Sequence, residues 1–501
     1  MKKKIIFSCF CFWMTIIADA QTLNLDLFKC IEIASDSSLQ AFRSRNMYLS
    51  GYWAYRAYKA SYLPSVSFRT SPLQYNRNIT KRYDYTENIE IYREQQSVSS
   101  SGGISISQNL PLTGGTFSFG SELSYFKNLG SSNVSQYSSI PFRIGYSQTL
   151  FGFNGFKWER KIEPLKFEQA KKRLTYQLEE IAEKTISHYF NLVLAQKEYE
   201  LASENILSID TLYRVGKERE KISAISQADL LLLELDAINA GNALKSAALN
   251  LRKTQYALLS FLNRDENTSI SVDIPVRRMY VEVQAMEALS YAQENNPDYL
   301  AFRQEILDAE KNLEQTSKNA SFNADISASV GFNQAAETFH GVYDNPSQQE
   351  VISIGVTIPM LDWGLKKGRV NMAKNNLNIT RLSVEQNKRD LEQEIISVID
   401  NFNVQQDFLF SAEKAIALAT AAYNTNKQRF IIGKSDVNML ILTMNRQREA
   451  QRNYINTLKI CWLSYYQIRR LTLFDFETGE NLFEKIERKL ERLNYGNHES
   501  P

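Results

Sequence analysis

Two helical joints stand out in this 501-residue chain: KISAISQADLLLLELD (residues 221–236) and IIGKSDVNMLILTMNR (residues 431–446). Each is a short run of small or turn-forming residues between two long stretches of helical periodicity. Such residues favour tight turns between a helix that ends and a helix that begins. Each joint therefore predicts a hairpin of two long helices.

The joints belong to a long internal repeat, a feature to be sought before any other because it determines the whole fold. At an offset of 260 residues, AFRSRN (41–46) matches AFRQEI (301–306), and ASYLPSVS (60–67) matches ASFNADIS (320–327). Further on the offset is 210. The first half therefore carries 260 − 210 = 50 extra residues, after which about 70 residues pass without insertion or deletion. The pairs at the shorter offset are Leu150-Phe151 and Met360-Leu361, Tyr213 and Tyr423, Arg219 and Arg429, and Ile222 and Ile432.

Heptad spacing indicates a coiled coil in these 70 residues, from about 153 to 222. The same holds for the corresponding residues of the second repeat. An interlocked helical seam loses its register with each inserted residue, and apolar residues at a and d positions sustained over several heptads are typical of such a seam. A helix of about 60 residues extends roughly 90 Å, which is too long for an ordinary soluble four-helix bundle. The seam residues are Leu192, Ala195, Tyr199, Ala202, Ile206, Ile209 and Tyr213 in the first repeat, and Phe402, Leu409, Ala412, Ile416, Ala419 and Tyr423 in the second.

Between the opening helix and the long helix, each half shows alternation of period two. DISASVGF (325–332), VISIGVTI (351–358) and IPFRIGYSQ (140–148) each place apolar residues on one face and small or polar residues on the other. In the third stretch, the predicted apolar face contains Ile140, Phe142, Ile144 and Tyr146. Strands of this type are found in a membrane barrel with a wet lumen, and in a soluble sandwich.

The extra residues of the first half include GGISISQNLPLTGGTFSFGSEL (102–123). The residues from Pro111 to Gly115 favour a turn, and they lie between two runs in which apolar and polar residues alternate. This segment therefore predicts a β-hairpin. The sequence leaves open whether that hairpin, near residues 98–126, joins the other strands.

The first 20 residues resemble a secretory signal peptide, with three lysines, an apolar run from Ile5 to Ile17 and the cleavage pattern Ala18-Asp19-Ala20. The apolar run is too short for a transmembrane helix, and a lipoprotein signal ending at Cys9 or Cys11 is the weaker alternative. Cleavage leaves 58 − 3 = 55 basic and 56 − 1 = 55 acidic residues, so no nucleic-acid partner is predicted. The pairing of the two remaining cysteines, Cys30 and Cys461, stays open.

Catalytic chemistry is not indicated. The three histidines, His188, His340 and His498, are far apart in sequence, and no metalloprotease, redox, phosphate-loop or nucleophile-elbow motif occurs. Charged residues are spread along the long helices, as expected of solvated faces. The sequence predicts no enzyme, no cofactor and no metal site.

Taken together, these residues resemble the TolC-type outer-membrane efflux protein family over nearly the whole mature chain. The entry into the long helix, LFGFNGF (150–156), and its echo MLDWGLKKG (360–368) are similar to the family pattern. So are the residues around the joints, which are Tyr213, Arg219, Ser226 and Asp229-Leu230-Leu231 in the first half, and Tyr423, Arg429-Phe430, Gly433 and Leu440 in the second.

The resemblance implies a mixed α and β fold. Three protomers, each giving four to six strands, would form one outer-membrane β-barrel continued by a long periplasmic α-helical coiled-coil tube. The implied function is the outer-membrane channel of a tripartite efflux or type I secretion system in a Gram-negative bacterium. Implied partners are a second and third copy of the chain, outer-membrane lipid, a periplasmic adaptor (membrane fusion) protein and an inner-membrane RND or ABC pump. The alternatives are a periplasmic structural coiled-coil protein and a general porin, each of which uses only one of the two sequence features.

The resemblance also implies that the two joints are the periplasmic tip, which closes the idle channel. It departs from the family pattern where Ser223 replaces the usual glycine, Glu220 replaces the usual phenylalanine, and Met439 stands where the first half has an acidic residue. The candidate tip and gate residues are Ser223, Ser226, Asp229, Arg429, Gly433, Lys434, Asp436 and Met439.

The repeat predicts eight segments. They are a signal peptide (1–20), an opening helix (21–63), barrel strands with the extra hairpin (64–152), a coiled-coil pair (153–262), a linker with the second opening helix (263–320), barrel strands (321–361), a second coiled-coil pair (362–473) and a C-terminal tail (474–501).

Overall fold

A computed structural model describes residues 23–129, 133–223, 225–265, 268, 270–275, 280–432 and 434–488. The predicted signal peptide lies outside these residues. Within them the helices are α1 (Leu27–Ser37), α2 (Leu39–Ala60), α3 (Gly155–Lys221), α4 (Gln227–Phe261), α5 (Ala285–Asn295), α6 (Pro297–Ala320), α7 (Leu365–Ile431) and α8 (Val437–Thr472). The strands are β1 (Leu23–Leu25), β2 (Ser65–Asp84), β3 (Ile89–Asn109), β4 (Thr116–Asn128), β5 (Ser135–Leu150), β6 (Ile270–Val272), β7 (Asn323–Ala336), β8 (Ser347–Thr357), β9 (Phe474–Asp475) and β10 (Glu480–Asn481).

The helices confirm the predicted internal repeat. Helices α3 and α7 each have 67 residues, and both their first and last residues differ by 210 (365 − 155 and 431 − 221). Helices α4 and α8 also begin 210 residues apart (437 − 227). None of the described helices combines the length and the apolar character that crossing a membrane requires.

The predicted heptad seam is largely buried within this single chain. Leu192, Ala195 and Ile209 of α3 are buried, as are Phe402 and Leu409 of α7. The remaining seam residues are half-buried except Tyr199, which is exposed. Apolar residues at steps of three and four therefore hold the long helices against their neighbours.

One antiparallel sheet contains the six long strands, in the order β2-β3-β4-β5-β7-β8. The extra hairpin of the first repeat is part of this sheet, because β3 pairs with β2 along one side and with β4 along the other. The first repeat thus supplies four strands and the second repeat two. Strands β2 and β8 are the two edges of the sheet.

The sheet has two chemically different faces. Val66, Phe68 and Ile104 lie on what we call the apolar face, and Phe68 is 70% exposed. Ser65, Ser67 and their neighbours lie on the opposite, polar face. Further along, the apolar face continues with Phe119, Ile144, Val330, Ile352 and Ile354, and the polar face with Ser118, Gly145, Ser147, Ser327, Ser329 and Ser353.

A bulge in β5 corrects one predicted position. The expected alternation put Ile140 on the apolar face together with Ile144. The pairing register shifts between Ser139 and Arg143, so Ile140 aligns with Glu122 on the polar face. A bulge inserts an extra residue into one strand and so moves every later side chain to the other face.

The described chain divides into two compact units. One is built from residues 47–173 and 296–393 and contains the six-stranded sheet. The other is built from residues up to 46 together with 174–295 and 394 onward, and contains the two joints. In this second unit Arg469, Glu179 and Asp475 form a buried ionic cluster, which we call the Arg469 triad.

Cys30 is fully buried in α1, and Cys30 and Cys461 are not joined to each other. Burial, and secondarily the nearby Asp26 carboxylate, raises the pKa of the Cys30 thiol to about 12. The thiolate is the reactive form of cysteine, and at pH 8 this thiol stays protonated because its raised pKa lies far above that pH.

We therefore expect a Cys461→Ser variant that begins at residue 21, in which Cys30 is the remaining cysteine, to react very slowly with a disulfide-exchange reagent at pH 8. The same variant should react at once in denaturant, where Cys30 regains an ordinary pKa. The absorbance of the released thiolate measures both rates. Equal rates in the folded and denatured protein would contradict the assigned burial.

Candidate functional site

The first joint is closed by a capping box. The Asp229 backbone N–H donates to Ser226 Oγ at 3.1 Å, and the Ser226 N–H donates to Asp229 Oδ2 at 3.3 Å. The Ser226 hydroxyl also donates to Asp229 Oδ2 at 2.7 Å. These bonds satisfy amide groups that the start of α4 otherwise leaves unpaired, and the carboxylate lies favourably at the positive end of the helix dipole.

Ser223, in the same joint, has a left-handed backbone with φ 52°. Its N–H donates to the Glu220 carbonyl oxygen at 2.8 Å, which ends α3 in a tight turn. This conformation favours glycine, and a side chain there costs roughly 1 kcal/mol or more. The departure noted in the sequence, serine where glycine is usual, therefore falls on a residue that adopts the glycine conformation.

The second joint is closed by Asp436. Its Oδ1 accepts the Met439 N–H at 2.7 Å and so caps α8. On the other side, the Lys434 N–H donates to the Arg429 carbonyl oxygen at 2.8 Å and ends α7. Gly433 lies outside the described residues. Both joints thus use a side-chain oxygen to begin the returning helix.

Arg219 connects the two joints. Its guanidinium lies over the Phe430 ring, 5.4 Å from the ring centre. Its Nη2 is 3.5 Å from the carbonyl oxygens of Phe430 and of Ile431, at the long limit of a hydrogen bond. These carbonyls form the negative end of the α7 dipole, where a cation is favoured.

An apolar cluster lies directly beneath this contact. Leu233, Phe430 and Leu440 are buried together, which brings α4, α7 and α8 into one contact; we call these three residues the tip cluster. A cavity of about 350 Å³ borders it. Around the cluster pack four half-buried residues, which are Leu212, Tyr213, Tyr423 and Ile441.

The structure brings the predicted residues to two adjacent turns but gives them different tasks. Asp229 and Asp436 serve as cap residues, whereas the Arg429, Lys434 and Met439 side chains are exposed. Among the ion pairs of the described residues, none joins Asp229 or Asp436 to a basic side chain. The residues that link the joints, Arg219 and Phe430, were part of the family signature but were not among the predicted gate residues. Their signal was the repeat itself, since Arg219 lies at the 210-residue offset from Arg429.

The bonds at the joints fall into two groups, those within each hairpin and those between the hairpins. Within each hairpin, helix caps hold the turn together. These caps are costly to break because they satisfy backbone groups that would otherwise be unpaired. At the two joints, the hairpins contact each other through one small apolar cluster and one long cation–carbonyl contact, while farther along the helices Arg469 of α8 also bonds Glu179 of α3. The tip part of this interface is small enough to separate at modest cost while each hairpin stays folded.

Residues 288–459 match the family model described as outer membrane efflux protein. No curated protein sequence matches the chain significantly. Among solved structures, the Campylobacter jejuni CmeC outer membrane channel is similar with a TM-score of 0.66 and 14% identity, over 92% of this chain and 88% of that one. The open state of the Neisseria gonorrhoeae MtrE outer membrane channel is similar with a TM-score of 0.59 and 15% identity, over 91% and 89%. The Vibrio cholerae outer membrane protein VceC has a TM-score of 0.57 and 11% identity, over 91% and 96%.

Proposed function

We propose that this chain, an outer membrane efflux protein, is the outer-membrane channel of a tripartite efflux or type I secretion system. The premise is the match of residues 288–459 to the outer membrane efflux protein family, which agrees with the sequence resemblance. The observation that carries the proposal is one chain with both a two-faced six-stranded sheet and a pair of 67-residue helices. A general porin needs only the first, and a structural coiled coil only the second. The protein is located in the outer membrane of a Gram-negative bacterium, with a periplasmic extension.

The sheet forms one third of a barrel. Its edges, β2 and β8, have unpaired backbone groups, which a bilayer does not tolerate. Pairing β2 of one protomer with β8 of the next closes the ring in a trimer. The apolar face then contacts lipid, and the polar face lines the lumen. Residues 64–152 and 321–361 are assigned to this barrel, and residues 153–262 and 362–473 to the periplasmic tube.

The tip provides the gate. An inner-membrane RND or ABC pump supplies the energy, and the channel itself is a passive conduit from periplasm to exterior. A periplasmic adaptor engages the two joints and separates the hairpins, which breaks the Arg219 contact and the tip cluster. The caps at Ser226, Asp229 and Asp436 keep each hairpin folded during this movement. Ser223, Arg429, Lys434 and Met439 complete the surface that the adaptor meets.

A pair of neighbouring residues in β8 tests the proposal. Ile352 lies on the apolar face and is 77% exposed, and Ser353 lies on the polar face. In a barrel, an arginine facing mid-bilayer lipid costs about 2–4 kcal/mol per protomer, whereas an arginine in the lumen faces water. We expect Ile352→Arg to reduce the trimer in outer-membrane fractions sharply and Ser353→Arg to leave it near normal.

Native-gel and mass measurements on the detergent-extracted trimer give the readout. In electron micrographs, the wild-type trimer should be an elongated particle of about 140 Å. A compact wild-type monomer, or equal trimer levels for both β8 variants, would contradict the channel assignment.

A further inference from the structure

A row of charged residues crosses the polar face of the sheet at one level. Arg69 of β2 aligns with Gly103 of β3, which aligns with Glu122 of β4. Two residues away, Gly120 of β4 aligns with Arg143 of β5. The rest of this face, where all six strands are paired, consists largely of serine, glycine and threonine, so these charges are concentrated in one band.

Glycines form the floor of this band. Arg143 aligns with Gly331, and the Arg143 Nη2 donates to Gln349 Oε1 of β8 at 3.0 Å. A Cβ atom at Gly331 would lie 2.5 Å from the Phe142 carbonyl oxygen, and one at Gly103 would lie 2.9 Å from the Ser121 carbonyl oxygen. Side chains do not fit at these two positions, and a hollow of about 370 Å³ opens between Arg69, Glu122 and Arg143.

The charges of the band are not neutralised in pairs. Among the ion pairs of the described residues, none joins Glu122 to Arg69 or to Arg143. On the apolar face the situation is the opposite, because Arg77 pairs with Glu94. Each protomer therefore brings two cations and one anion to this level, a net charge of +1.

One other charged residue lies on the polar face where all six strands are paired. Asp325 of β7 is six residues from Gly331, about 20 Å along the strand. Its Oδ1 accepts the Thr149 hydroxyl at 2.6 Å. At physiological ionic strength a distance of 20 Å exceeds twice the screening length, so Asp325 does not cancel the band.

We propose that Arg69 and Arg143 form an anion-attracting band inside the barrel, which makes this part of the conduit select for small anionic solutes over cations. The proposal rests on the proposed function, since three protomers must bring the band together around one lumen. Three copies give a ring with six guanidinium groups and three carboxylates. A pore wall with excess charge of one sign raises the local concentration of the opposite ion.

Ion selectivity in planar bilayers tests the band, with chloride and potassium as the probe ions. We expect the wild-type trimer under a KCl gradient to show a reversal potential that favours chloride. The variant Arg69→Gln with Arg143→Gln should lower the chloride-to-potassium permeability ratio about two-fold or more, and Glu122→Gln should raise it. Arg77→Gln, a change of the same type on the other face of β2, should leave the ratio at its wild-type value.

A second measurement needs no open tip. Ser101→Cys places a thiol on the polar face, among the residues that line the hollow, in a Cys461→Ser background. An anionic thiosulfonate reagent added outside should modify it faster, relative to a cationic reagent, than it does in the double arginine variant. A ratio that is unchanged between the two backgrounds, or equal permeability ratios in bilayers, would overturn the band. Absence of a membrane-inserted trimer would instead overturn the proposed function, and the two failures are therefore distinguishable.

Discussion

Replacing Arg469 with methionine will lower the free energy of unfolding by about 3–5 kcal/mol, because it leaves two buried carboxylates without their counter-charge. Arg469 donates from Nε and Nη2 to the two Glu179 carboxylate oxygens at 2.9 and 3.0 Å, and from Nη1 to Asp475 Oδ2 at 2.9 Å. The three side chains are only 12%, 10% and 9% exposed. Burial by itself lowers the pKa of Arg469, but the negative charges of Glu179 and Asp475 outweigh it and raise the pKa, so the guanidinium remains charged.

The measurement is urea unfolding of the detergent-solubilised protein, followed by its helical circular-dichroism signal. Arg389→Met is the matched control, since Arg389 pairs with Glu385 on the surface of α7 and both side chains are mostly exposed. Such surface pairs contribute about 0–1 kcal/mol. Replacing Arg469 and Glu179 together with apolar residues should restore part of the loss, whereas Asp475 has to be kept because its Oδ1 accepts the Tyr465 hydroxyl and the Glu477 N–H. Similar small losses for the Arg469 and Arg389 variants would show that the triad is unimportant for stability.

Replacing Phe430 with alanine is expected to loosen the tip more than any other single change in the tip cluster. A buried phenylalanine reduced to alanine costs about 3–5 kcal/mol, from lost burial and from the cavity left behind. The change also removes the ring beneath the Arg219 guanidinium. We therefore expect a higher conductance of the isolated channel and greater sensitivity of cells to a large hydrophilic antibiotic that the outer membrane excludes.

Phe410→Ala provides the control, because Phe410 lies on the same helix and is half exposed. Trimer levels in the outer membrane must be equal for both variants before the conductances are compared. If Phe410→Ala and Phe430→Ala behave alike, the tip cluster does not hold the hairpins together.

The long helices were predictable because the apolar residues of a coiled-coil seam recur at fixed spacing, which an insertion or deletion would disturb. Equal spacing between Tyr213 and Tyr423 and between Arg219 and Arg429 implied α3 and α7 of equal length, and both have 67 residues. The fold class, with its repeats and its mixed helices and strands, followed from this spacing and from the alternation of the strands.

Other features are visible only in the three-dimensional structure. The bulge that moves Ile140 to the polar face falls at Pro141, a residue type that sheets accept at edges and bulges, and the alternating apolar residues on both sides of it favoured an unbroken strand instead. Asp475 lies in the segment that the sequence placed in a C-terminal tail, where a buried partner for Arg469 was not expected. The contact between Arg219 and Phe430 joins residues 211 positions apart, and a local sequence pattern does not predict contacts over such separations.

At the tip, the sequence predicted which residues cap the helices but not which residues connect the two joints. Ser226 and Asp229 were recognisable as helix-capping residues, and they form a capping box. A carboxylate that accepts hydrogen bonds in a cap is less available for an ion pair across the joint. The sequence alone does not show whether such a carboxylate caps a helix or forms an ion pair. Whether Arg429, Lys434 and Met439 meet an adaptor remains a prediction.

The unlike edges of the sheet, β2 and β8, have a genetic consequence. Every protomer in a closed ring uses both edges, so one copy with a defective β8 interrupts the ring for its two sound neighbours. In a cell that makes intact and defective chains in equal amounts and mixes them freely, only about one ring in eight consists wholly of intact chains. An allele with a damaged edge strand should therefore be dominant negative, whereas a complete deletion should be recessive.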